Sequence, residues 1–294
     1  MIKIIGSTKP HLLATRNLIV TPNVALPSPE YSVYLSGGNG YLRTVPLPLI
    51  SGNWTLETWF KMPANVGGYG GVLWEGAYAS GNNYYTGIWI RAGSNTFYPR
   101  IGDGISNMAI NDGSPFSPSV GVVHHFAMIC NGANATSYVY IDGAQVWSVN
   151  TGNWTPVLIP VSGTIYFATQ FQIYYPMAVS FQETRIWSAA LSLSTLNTWK
   201  SQYVTSSHPN FGSLVMYWKM LENSGSLLND SSGNNYTGTL YPTYSWNGNI
   251  MQISSPGGST YTSVTDLYGN KIYINNAYLM SRIEGEILQE IIGT

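Results

Sequence analysis

The chain has 294 residues, of which 12 are basic and 13 acidic, so charged residues make up only 9% of it where ~25% is usual. A formal net charge of −1, with Lys and Arg scattered singly, excludes a basic nucleic-acid-binding stripe, and no run of about 18 apolar residues marks a membrane helix. The 31 Gly, 16 Pro, 22 Tyr and 10 Trp exclude a mostly helical fold, because these residues favour strands and turns.

Residues 1–30 read as an N-terminal arm. Two short apolar runs, 2–5 and 18–20, precede Pro22, Pro27 and Pro29, whose fixed φ and missing donors suit extended, edge-lying chain. The arm is expected to pair with the main domain's own sheet or with a neighbouring subunit. Lys3, Lys9, His11, Arg16 and Asn17 interrupt the apolar runs, so the first twenty residues lack the continuous h-region of a secretory signal.

From Tyr31 short strand-like runs recur between turn signals, the pattern of a β-sandwich. Residues 54–61 alternate Trp54, Leu56, Thr58 and Phe60 with Thr55, Glu57, Trp59 and Lys61, which predicts a strand with one buried and one partly covered face. Asp142-Gly143 between two such runs predicts a type I′ hairpin, since both turn positions need positive φ. Cys130, alone in an apolar run, is expected to be a buried, inert thiol. Ser192 is placed to cap a short helix reaching Tyr203, with Leu196, Trp199 and Tyr203 on one side. The segment 254–259, with Pro256, Gly257 and Gly258, marks a boundary. Beyond it a hairpin turning at 268–270 and a helix over 277–292 are expected. The domain reading is therefore an arm at 1–30, a sandwich at 31–253 and an appendage at 254–294.

Five or six motifs in order resemble the laminin-G-like branch of the concanavalin A-like lectin and glucanase superfamily. They are Ser32-Val33-Tyr34-Leu35-Ser36-Gly37, Leu56-Glu57-Thr58-Trp59-Phe60-Lys61, His124-His125-Phe126-Ala127, Tyr138-Val139-Tyr140-Ile141-Asp142-Gly143, Arg185-Ile186-Trp187 with Leu191-Ser192, and Tyr217-Trp218-Lys219 leading to Asp230-Ser231-Ser232-Gly233-Asn234. In place of the tryptophan before the family's paired histidines stands Val123. The resemblance spans about residues 31–240 and implies an all-β, antiparallel jelly-roll sandwich. It leaves function open, because the fold carries lectins, adhesion modules, glycosidases and phage virion domains alike.

The superfamily's glycosidases resemble one another in a carboxylate string, E-x-D-x-x-E, that puts acid and nucleophile on one strand face, and no such string occurs here. Glu284, Glu286 and Glu290 read as a solvated helix face, and Glu57 and Glu183 as framework residues. Adjacent strand residues point oppositely, so His124 and His125 cannot share a metal. No catalytic residue is assigned. Relatives carry calcium at the sandwich rim, which by family position makes Asp230 the candidate ligand, with Asp103 and Asp112 as turn-bound alternatives; the competing reading of all three is that they build turns.

For glycan contact, exposed rings beside amides are needed. The loop-rich stretch 67–85 offers Tyr69, Trp74, Tyr78, Asn82, Asn83, Tyr84 and Tyr85, and Tyr174-Tyr175 forms a second cluster. Three functional readings follow. The first is a non-catalytic structural protein of a bacteriophage virion, a capsid decoration, head fibre or tail component, at the particle surface with virion proteins or identical subunits as partners. The second is a carbohydrate-binding or adhesion module, extracellular or at a cell surface, with or without calcium. The third is a glycosidase.

Overall fold

The computed structural model describes residues 20–24, 31–63, 70–77, 86–91, 95–110, 116–159, 163–170, 174–248, 250, 261–265 and 271–275. The chain divides into two compact units: Pro29–Ile253, and a second made from both ends, Met1–Ser28 with Ser254–Thr294.

The larger unit is an antiparallel jelly-roll sandwich of two eight-stranded sheets. The first sheet runs in the order Ala144–Asn150, Thr136–Ile141, Val123–Asn131, Trp54–Lys61, Ala178–Trp187, Tyr31–Ser36 and Tyr244–Gly248, with Leu214–Trp218 pairing to Ala178–Trp187. The second runs Leu227–Leu228, Gly238–Tyr241, Tyr41–Thr44, Thr164–Phe167, Gly71–Ala77, Gly87–Ile90, Phe97–Gly102 and Met108–Ile110. Their facing sides meet in one apolar core. Alternation puts it there: Trp54, Leu56 and Phe60 of one strand, Phe126, Met128 and Cys130 of the next, and Ile165 and Phe167 across the sandwich all lie inside. Each large side chain so buried stabilises the fold by about 1.5–3 kcal/mol. Cys130 is among them, and burial pushes its thiol up to about 11, as an inert core thiol requires.

Outside the core, the first sheet is covered by a helix, Leu193–Trp199. Ser192 caps it, its hydroxyl accepting from the Thr195 amide at 3.0 Å. Leu196 is buried against Ala127, Ile129 and Tyr140 of the sheet below. The helix ends at Trp199, short of the expected Tyr203, where tertiary donors take the carbonyls of its last residue and of the chain just beyond it. Arg185 Nη1 donates to Trp199 O at 3.0 Å, Trp59 Nε1 to Lys200 O at 2.7 Å and Arg185 Nη2 to Gln202 O at 2.6 Å. At the Asp142-Gly143 hairpin both residues take positive φ, 54° and 88°, as a type I′ turn demands. The Asp142 carboxylate also binds back, accepting from the His125 amide and pairing with His124 Nδ1.

In the smaller unit, Val20–Val24 pairs with Tyr261–Thr265, which pairs with Lys271–Asn275. The arm's strand thus joins the C-terminal appendage, where the sequence pointed to the main sheet or another subunit. Apolar runs between prolines announce that a strand will pair, but carry no address for its partner. The helix expected over 277–292 lies outside the described residues.

Close packing makes some glycines irreplaceable. A Cβ on Gly76 would overlap the Leu158 carbonyl oxygen, which is backbone and cannot rotate away. Gly76→Ala therefore lowers stability by about 1–3 kcal/mol, measurable by urea unfolding; an unchanged midpoint would show that the strand Val157–Ile159 yields freely.

Candidate functional site

Two clusters of chemistry-bearing side chains stand outside the core, one on each sheet's outer face. On the first sheet, Arg185 lies in register between Tyr217 and Glu57. Its Nη1 is 3.4 Å from Glu57 Oε1 and its Nη2 is 2.8 Å from Glu183 Oε2. His125 Nε2 lies 3.0 Å from Glu57 Oε2, Trp187 Nε1 donates to Glu57 Oε1 at 3.1 Å, and Tyr217 OH donates to Glu183 Oε2 at 2.5 Å. A bulge between Gln182 and Arg185, with Glu183 at φ 55°, accompanies this convergence.

The two carboxyls differ sharply. Burial acts to raise Glu57, but Arg185, His125 and Trp187 outweigh it and hold the group at about 2. Burial wins at Glu183 and pushes it up to about 7 against the pull of Arg185 and Tyr217. Paired carboxyls with split pKa values are the signature of an acid–base couple. Here both are 2% exposed and lie beneath the helix and the chain that follows it, so no substrate reaches them. The cluster is a structural bolt, as the framework reading of Glu57 and Glu183 required. His124 and His125 point to opposite faces as expected, His124 toward Phe60 and Phe116 and His125 toward Glu57 and Trp59.

The second sheet's outer face is different. Here the register aligns one row across seven strands: Thr239, Arg43, Tyr166, Glu75, Gly87, Arg100 and Ile110. At ~4.8 Å per strand the row from Thr239 to Arg100 is ~24 Å wide. Rings flank it. Tyr241 stacks on Tyr41 with centroids 4.3 Å apart, and Tyr41 meets Tyr166 at 6.1 Å. Farther along, Trp89 packs against Tyr175 at 4.8 Å, and the Arg100 guanidinium lies 3.9 Å over the Trp89 ring. Gly87 leaves a gap in the row between Glu75 and Arg100, and it must be glycine: a Cβ there would lie 2.7 Å from the Trp74 carbonyl oxygen.

Glu75 sits at the middle of the row and is fully buried. Trp89 Nε1 donates to its Oε2 at 3.2 Å, while its Oε1 has no hydrogen-bond partner. Protonation at Oε1 therefore breaks no bond. Burial raises the carboxyl to about 8, against the opposing pull of Trp89, Arg100 and Gln170, so it is mostly neutral at pH 7.

Of the residues singled out for glycan contact, only Trp74, Tyr174 and Tyr175 are among the described residues. Tyr69, Tyr78, Asn82, Asn83, Tyr84 and Tyr85, like Asp112, lie outside the described residues. Trp74 corrects the exposed-ring expectation: it is fully buried, edge-on to Phe126, because its strand position turns it into the core. Of the second cluster, Tyr175 joins the face beside Trp89, and Tyr174 is exposed.

Asp230 does not fit a calcium site. Its Oδ1 accepts from the amides of Tyr217 and Ser232, and its Oδ2 from the Tyr236 amide and the Ser232 hydroxyl. Four donors fill the lone pairs that a cation would take, so the residue knots its own turn. Asp103 behaves alike. Burial acts to raise it, but donors from Asn107, Ile105 and Ser106 outweigh this and hold it at about 2. Among the described residues no group of three or more His, Cys, Asp or Glu could hold a metal ion, and no helix is long and apolar enough to cross a membrane.

The chain belongs to the concanavalin A-like lectin/glucanases superfamily, whose family model matches residues 36–197. No curated protein matches the sequence. Among solved structures, a Bacteroides ovatus protein assigned to carbohydrate binding aligns at 13% identity over 76% of this chain and 62% of its own, with a TM-score of 0.52. The chain thus spans about three-fifths of that protein, and the likeness is one of fold. A SAP-like pentraxin from Limulus polyphemus aligns at 16% identity over 72% of this chain and 95% of its own, at a TM-score of 0.47. A CBM40 domain of a Ruminococcus gnavus sialidase aligns at 14% identity over 61% and 97%, at 0.42.

The row across strands was missed in the sequence, although its signal was present: Tyr41 and Arg43, Trp89, and Tyr98 and Arg100 each alternate with core residues. Two outcomes check the electrostatics. Arg185→Met leaves two buried carboxyls facing each other and lowers stability by about 3–5 kcal/mol; a loss below about 1 kcal/mol in urea unfolding would contradict the bolt. The unfolded chain ionises Glu75 near 4.5 and the folded protein near 8. The folded state thus keeps a proton that the unfolded state loses, and stability falls as pH rises from about 4.5 through about 8. Glu75→Gln flattens this slope in thermal unfolding; a variant with the parent's slope would place the titration elsewhere.

Proposed function

We propose that the protein is a non-catalytic carbohydrate-binding domain, and that its glycan lies across the outer face of the second sheet. The observation that carries this reading is the register row Arg43–Tyr166–Glu75–Gly87–Arg100 flanked by Tyr241, Tyr98 and Trp89. Ring faces stack on sugar C–H groups, while guanidinium and hydroxyl groups hydrogen-bond sugar oxygens. Hydrolysis would need two carboxyls about 5–10 Å apart flanking the bond, and Glu75 is the one carboxyl on this face's strands among the described residues. The matched Bacteroides ovatus protein, assigned to carbohydrate binding, supports the same class.

A virion setting stays a second reading. None of the matched proteins described above points to a phage; its support is the sparse charge and a second unit built from segments on either side of the sandwich. Detection in purified particles tests it.

For the first reading, a broad glycan array with the full chain is expected to give binding that survives a chelator, since Asp230 is committed to its turn. Trp89→Ala and Tyr241→Ala each weaken that binding about tenfold, or ~1.4 kcal/mol, with unchanged circular dichroism. Full affinity in both variants would move the site off this face.

A further inference from the structure

Positive charge in this chain is scarce and unevenly placed. Arg43, Arg91 and Arg100 are three of its six arginines, and all three lie on the outer face of the second sheet. Each is laid on a ring: Arg43 5.3 Å from the centroid of Tyr241, Arg91 5.8 Å from that of Tyr98 and Arg100 3.9 Å from that of Trp89. Arg91 Nη1 also donates to Tyr98 OH at 2.8 Å.

Among the described residues little opposes them. Glu75 is buried beside Trp89 and Arg100 and is mostly uncharged at neutral pH. Asp103, in the turn after Phe97–Gly102, is charged, but its oxygens are taken by the amides of Ile105, Ser106 and Asn107 and the Asn107 side chain. The face is therefore cationic as well as aromatic. A neutral sugar can only accept single hydrogen bonds from these guanidinium groups, of which those of Arg43 and Arg100 belong to half-buried residues, whereas a carboxylate or sulfate meets them with paired, charge-assisted hydrogen bonds.

The geometry points to an acidic oligosaccharide or polysaccharide, bearing carboxylate or sulfate groups, as the ligand of this face. The inference rests on the carbohydrate reading above and names the class of glycan. Four strand spacings separate Arg43 from Arg100 along the row, ~19 Å between their backbones, so a ligand engaging both carries acidic groups several sugars apart. A single acidic sugar does not reach.

The test uses the full chain in calorimetry with probes matched except for charge: polygalacturonate against its methyl ester, and dextran sulfate against dextran, with oligothymidylate as a non-glycan polyanion. The expected result is at least about tenfold tighter binding to an acidic member than to its neutral partner. That preference weakens as NaCl rises from about 50 to about 500 mM, and Arg43→Gln and Arg91→Gln each reduce it about fivefold while Trp89 and Tyr241 remain in place. Equal affinity for charged and neutral partners, or binding confined to neutral glycans, overturns the inference and leaves the carbohydrate reading standing. Oligothymidylate bound as tightly as the acidic glycans overturns it in favour of a general polyanion surface. No binding to any of these probes, nor to the wider array, overturns both.

Discussion

Arg185 ties together neighbouring strands, a helix and the chain that follows it. Its guanidinium holds Glu57 on one neighbouring strand and Glu183 on its own, lies over the ring of Tyr217, and caps the carbonyls of Trp199 and Gln202. One residue thus fixes strand register, helix length and the path of the chain after the helix. The arrangement is all-or-none in character. Every buried charge in it depends on a partner, and desolvation makes each one costly if left alone.

The two sheets divide the labour. The first is sealed by a helix and locked by ion pairs, so its ionisable groups serve the fold. The second leaves its outer face half open, and its polar residues are layered with rings. That contrast is the ground on which the second face is proposed as the site: split carboxyl pKa values count for nothing where burial keeps a substrate away. Membership of the lectin and glucanase superfamily fixes the sandwich and leaves this choice to local chemistry.

Much of the fold was legible in the sequence because its signals are local. The alternation of Trp54–Lys61, the Asp142-Gly143 turn and the Ser192 cap each state their structure within a few residues. Helix length was not, because Arg185 and Trp59 intervene from distant strands. Nor was the face. Loop aromatics near 67–85 drew notice as exposed rings, yet Trp74 belongs to the core. Arg43, Tyr166, Glu75 and Arg100 come together only through pairing register, which no short window contains. Asp230 shows the same limit from the other side: a turn aspartate and a calcium aspartate look alike until its donors are counted.

The pairing of Val20–Val24 with Tyr261–Thr265 has a temporal meaning. Synthesis from the N-terminal side produces one of these strands before the whole of Pro29–Ile253 and the other after it. The sandwich can close while synthesis continues, since domains fold as units as they emerge. The earlier strand must wait for the later one, so the unit that holds both is completed only after the sandwich has been made.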